Sequence, residues 1–145
     1  MSKEGQYICT KIGGFRLAFD VTCVSEIIKP DTSPYRIEHS DGETATINYS
    51  GQKIPVIYLS DIIHGDRERY ITSYRALITS WQGRRAAIVV DSADEIIRIA
   101  AGDVKSPTEI VADIDIAPLE GMINIDEDKI HIVSVEKIFN LARVT

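Results

Sequence analysis

Residues Tyr74–Val90 read YRALITSWQGRRAAIVV, and this stretch decides the class of fold. Two apolar-rich runs, Tyr74–Trp81 and Arg85–Val90, flank the dipeptide Gln82-Gly83. A glycine in a two-residue connection supplies the positive φ that a tight antiparallel hairpin needs. The stretch therefore predicts a hairpin.

Working outward, the same pattern recurs. Gln6–Ile12 and Phe15–Phe19 are strand candidates on either side of Gly13-Gly14, with Phe15, Leu17 and Phe19 alternating against Arg16 and Ala18. Thr44–Tyr49 and Lys53–Tyr58 bend at Gly51. Pro55 lacks an amide proton, which predicts an edge strand or a bulge there. Ala93–Ile99 is a further strand, and Gly121–Ile125 with Lys129–Val133 forms a hairpin around DEDK.

Helices are few. Asp20 is placed to cap a short helix in which Val21, Val24, Ile27 and Ile28 share one face and Thr22, Ser25 and Glu26 point outward, ending at Pro30. Ser60 is expected to cap a single turn that Gly65 stops. Ser134 caps a last helix, with Val135, Ile138, Phe139 and Ala142 on one face. Residues 31–42 and 65–70 read as loops, and Pro107–Pro118 carries no clear pattern. Short strands with a turn signal every ten residues or so predict a mainly β, barrel-like fold. The unit strand–turn–strand–short helix occurs more than once, which suits two small barrels in series. Strands do not alternate with long helices, which argues against a parallel α/β sheet.

The 145 residues suffice for one domain with a real core. A net charge of −6 disfavours phosphate-driven nucleic-acid binding and direct docking on anionic lipid. The start, MSKEGQ, has no apolar secretory region, and IPVIYL and AAIVV are too short to span a membrane. Cys9 and Cys23 are read as space-filling thiols, and the expected location is the cytoplasm.

A search for chemistry yields little. Asp61, His64 and Asp66 in DIIHGD could converge on one ion, but lack the supporting partners a catalytic zinc site uses. Asp91, Asp94 and Glu95 read as a solvated turn, and Asp126-Glu127-Asp128 as a hairpin tip without the spacing of a calcium loop. Neither a nucleophile elbow nor a phosphate-binding loop occurs. Arg84 and Arg85 read as charges guarding a strand edge. A binding or scaffold module is the reading that remains, with a small metal-dependent hydrolase built on Asp61, His64 and Asp66 as a distant alternative.

Four stretches, in this order and spacing, give the chain a family resemblance: FRLAFDVTCVSEI (Phe15–Ile27), INYSGQKIPVIYLSDII (Ile47–Ile63), RRAAIVVDSADEI (Arg84–Ile96) and PLEGMINIDEDKIHIVSVEKIF (Pro118–Phe139). Together they resemble the CheW-like domain of bacterial chemotaxis proteins, over one domain from residue 6 to 142. The resemblance implies two five-stranded SH3-like β-barrels on a shared core, with short helices and a C-terminal helix. It implies a non-catalytic adaptor, without cofactor or metal, that holds a chemoreceptor cytoplasmic tip and a CheA-type histidine kinase together. The receptor-binding candidates it implies are Val24, Glu26, Ser50, Gly51 and Gly121. Ser50 departs from the family, which commonly has arginine there, and RIEHSDGETAT upstream is more polar than the family's run. An accessory regulator that binds the kinase and not the receptor is the alternative reading.

Overall fold

The computed structural model describes residues 5–32, 34–38, 45–63, 74–106 and 117–144. Eleven strands and two short α-helices follow one another along them. The first sheet takes β1 (Gly5–Ile12), β2 (Phe15–Asp20), β9 (Ser92–Ile99), β10 (Leu119–Ile125) and β11 (Asp128–Val133), in the order β10-β11-β2-β1-β9. Inserted between β2 and β9 is the second sheet. It takes β3 (Val24–Ile28), β4 (Ile37–Glu38), β5 (Thr46–Tyr49), β6 (Gln52–Tyr58), β7 (Arg75–Trp81) and β8 (Arg84–Val90), in the order β3-β7-β8-β6-β5-β4. Pairing is antiparallel except for β11 with β2 and β6 with β8.

Period-2 alternation sorts the side chains of these strands between three cores. On β8, Ala86, Ile88 and Val90 face a core shared by both sheets, whereas Ala87 and Val89 face the interior of the second sheet. On β2, Leu17 and Phe19 face the shared core and Ala18 faces the interior of the first sheet. A strand buried on both faces needs apolar residues at every position, which explains why β8 reads AAIVV. The shared core also takes Leu59 and Ile63 of α1 (Leu59–Ile63) and Val135, Ile138 and Phe139 of α2 (Val135–Leu141). Phe139 is fully buried there, so truncation to alanine should cost about 3–5 kcal/mol.

The expected pair of five-stranded barrels becomes one five-stranded and one six-stranded sheet. In the first, no ladder joins β10 to β9 among the described residues. The segment after β9 meets β10 through a single bridge, in which Lys105 N–H donates to Met122 O at 2.8 Å and Met122 N–H donates to Lys105 O at 3.0 Å.

Several local expectations change. Asp20 does cap, accepting from Thr22 N at 2.9 Å, but it caps one 3-10 turn, Val21–Cys23. The predicted helix over Val24–Ile28 is strand β3, because β-branched residues stiff at χ1 favour a pleated ribbon once β7 offers its edge. α1 starts at Leu59, so Ser60 lies inside it and does not cap it; Gly65 lies outside the described residues. Pro55 lies on neither an edge nor a bulge: β6 sits between β8 and β5. Val56 N–H donates to Ala45 O, so by antiparallel alternation Pro55 opposite Thr46 is a non-hydrogen-bonded pair. Its missing proton then faces β8, one residue before β6–β8 pairing begins at Val56.

Ser134 caps α2 as expected, accepting from Lys137 N at 3.2 Å. Neither cysteine forms a disulfide among the described residues; Cys9 is buried in the first sheet and Cys23 packs against the shared core.

Candidate functional site

Among the five candidate residues, the structure gathers Glu26, Ser50 and Gly51 at one end of the second sheet. Ser50 and Gly51 are the two central residues of the β5–β6 hairpin, between the paired Tyr49 and Gln52. Both have positive φ, 51° and 77°, the signature of a type I′ turn whose twist matches the strands it joins. Glu26 lies on β3 opposite Ile78. The register slips between Val24 and Glu26, and Ser25 at this bulge donates its hydroxyl to Ile78 O at 3.3 Å. A bulge of this kind re-aims side chains.

The link between β3 and the hairpin is Tyr49, whose hydroxyl donates to Glu26 Oε1. Tyr35 stacks on Tyr49 with ring centroids 6.1 Å apart and 29° between planes. The Arg85 guanidinium carbon lies 5.7 Å from the Tyr49 centroid, within cation–π range. The hydrogen bond to Glu26, then burial, then the Glu26 charge push the Tyr49 phenol above its ordinary value. Tyr35, Tyr49 and Arg85 escape a reading of the sequence alone. Tyr49 could have been found from its parity with Ile47 on β5, which aims both at the same core; Arg85 could not, because its strand was read as an edge.

β8 lies between β7 and β6, but the β6 ladder covers only Ala87–Val89, so Arg84 and Arg85 sit where β8 pairs with β7 alone. Arg84 donates to Val144 O at 3.0 Å and lies 5.7 Å from the Phe139 centroid, pinning the end of the chain to α2. The acidic turns are also occupied. Arg16 reaches Glu95 at 2.8 Å and Asp128 at 2.9 Å, and Asp91 accepts from Gly13 N at 2.7 Å.

Of the other two candidates, Val24 stands two residues before Glu26 on β3 and Gly121 lies in the other sheet. Val24 is half-buried against the shared core. Gly121 lies in the first sheet, where a Cβ would meet Val104 Cγ1 at 2.5 Å and Lys105 O at 3.1 Å. Only glycine lets the 104–105 segment approach β10 this closely.

A groove of about 580 Å³ runs where the two sheets meet, lined by Asp20, Cys23, Trp81, Glu120 and Glu136 among others. Desolvation, reinforced by the Asp20 charge, pushes the Glu120 carboxyl and the Cys23 thiol upward. None of the five candidates lines it. Among the described residues no three His, Cys, Asp or Glu side chains converge as a metal would require; His64 and Asp66 lie outside those residues. No helix among the described residues is long and apolar enough to cross a membrane.

Residues 6–143 match the CheW-like domain family, and the chain belongs to that family. Among solved structures it is similar to the scaffolding protein TtCheW from Thermoanaerobacter tengcongensis. The TM-score is 0.80 at 24% identity, covering 93% of this chain and 92% of that one. The sequence matches none of the curated proteins.

Proposed function

We propose that the chain is a non-catalytic adaptor that couples a chemoreceptor, or a receptor-like sensor, to a CheA-type histidine kinase. Membership of the CheW-like domain family over nearly the whole chain is the observation that carries this reading. The receptor tip docks at the end of the second sheet, on Glu26 and the Ser50–Gly51 turn, with Val24 supporting β3 from the core and Gly121 letting the 104–105 segment pack on β10. The fold has the rigidity for such work, since each candidate stands on a strand or a two-residue turn.

The kinase contact is expected to rest on a few apolar anchors. Ile96 on β9 suits that role: it is 63% exposed, the most exposed large apolar side chain among the described residues. Co-purification tests the proposal. A CheA-type kinase and a soluble chemoreceptor cytoplasmic domain should both be retained by the tagged chain, and the kinase should stay bound in high salt, because screening weakens exposed charges far more than apolar packing. Retention of neither contradicts it.

Ser50 favours a second reading. Serine lacks the planar fork of an arginine. A regulator that binds only the kinase would retain the kinase and not the receptor domain in the same experiment.

A further inference from the structure

The cluster around Tyr49 has a chemistry of its own. The Tyr49 ring is held on two sides, by the stacked Tyr35 and by the Arg85 guanidinium. Its hydroxyl donates to Glu26 Oε1. A carboxylate has two oxygens and about four lone-pair sites, so one bond orients it without filling it. Glu26 Oε2 accepts no other hydrogen bond among the described residues, and Arg85 makes no ion pair among them. Glu26 is exposed and would otherwise sample several rotamers.

We infer that Tyr49 and Arg85 are specificity-determining residues of this surface: Tyr49 positions the Glu26 carboxylate, and Arg85 supplies the cation beside the Tyr49 ring. The inference rests on the adaptor reading and gives its receptor site a chemistry. The surface is an aromatic platform flanked by one fixed carboxylate and one guanidinium. It takes a receptor segment that presents a hydrogen-bond donor to Glu26 and, close by, a carboxylate or carbonyl to Arg85. The guanidinium comes from β8 and not from the Ser50–Gly51 turn.

Calorimetric titration with a soluble chemoreceptor cytoplasmic domain tests this on the full chain. Tyr49→Phe keeps the ring and its contacts and removes only the hydroxyl. It should weaken binding about three- to ten-fold, the range for one partly wet hydrogen bond to a charged group. In a Glu26→Ala background the same change should have almost no effect, because there is nothing left to position. Arg85→Ala should weaken binding and flatten its dependence on salt, and Arg85→Lys should restore the salt dependence and part of the affinity. Unchanged thermal midpoints in Tyr49→Phe and Arg85→Lys separate these losses from unfolding. Tight binding that is indifferent to Tyr49→Phe and Arg85→Ala overturns the inference and leaves the adaptor reading standing. Additive losses in the double variant overturn the positioning role of Tyr49. A wild-type chain that does not bind the receptor domain overturns the receptor half of the adaptor reading, and the inference with it.

Discussion

His131 shows how one residue can tie stability to pH. It lies on β11, 4% exposed, with Nδ1 buried and without a hydrogen-bond partner among the described residues, 6.3 Å from the Phe15 ring. Desolvation first, and then the Lys129 charge, hold its imidazole below the ordinary histidine value. The fold therefore prefers the neutral ring, and the unfolded chain binds the extra proton. Stability is complete above the unfolded value of about 6.5 and falls as the pH drops from there towards the lower folded value. Denaturant titrations between neutral and mildly acidic pH should show a loss that His131→Phe reduces; an identical slope in that variant would remove His131 as the cause. The sequence displays His131 as one polar residue alternating in a strand, without any sign of this burial. Tyr49 hides for the same reason. Its partner, Glu26, is 23 residues away, and only the ladder arrangement brings them together.

At the scale of elements, turns were legible and one element type was not. Gly13-Gly14, Ser50-Gly51 and Gln82-Gly83 connect strands where the sequence places them, because positive φ is chemically rare and glycine marks it. Ser50 shares the left-handed conformation without glycine's freedom. Ser50→Gly should therefore stabilise the chain, by at most about 1 kcal/mol, read as a rise in unfolding midpoint; a fall would mean that the hydroxyl does something in the fold. β3 was illegible because Val24, Ile27 and Ile28 fit a helical face as well as a bulged strand, and a five-residue run offers too few positions to choose. The choice is made by hydrogen bonds to β7, which no local pattern contains. Gly121 is the converse case. The sequence marks it only through a resemblance, and the structure gives it a physical task in letting the 104–105 segment pack on β10. Gly121→Ala should destabilise by about 1–3 kcal/mol, the cost of overpacking. Adding Val104→Ala should recover part of that, since Val104 Cγ1 is the nearest atom. Equal melting of Gly121→Ala and the parent would show that the 104–105 segment yields freely.

The whole molecule was legible as a class and not as a topology. Runs such as AAIVV announce strands buried on both faces, and the second face turns out to be the core that joins the sheets. Nothing local reveals that the chain leaves the first sheet after β2 and returns at β9, nor that a single bridge joins Lys105 to Met122. This architecture bears on function, because Ile96 on the first sheet and the Glu26–Tyr49 cluster on the second stand on separate sheets braced by one core. If the kinase uses the first and the receptor the second, Ile96→Ser should weaken kinase binding about ten-fold, the loss of one partly buried anchor, and leave receptor binding unchanged. A loss of both in a folded variant would place the two partners on one surface.

Coupling requires that both partners be held at once. Sedimentation velocity of the chain mixed with a CheA-type kinase and a soluble chemoreceptor cytoplasmic domain measures that directly. The account predicts a ternary species, heavier than either binary complex, that depends on the chain. Binary complexes in which receptor and kinase displace one another, or a kinase complex that excludes the receptor, would contradict it.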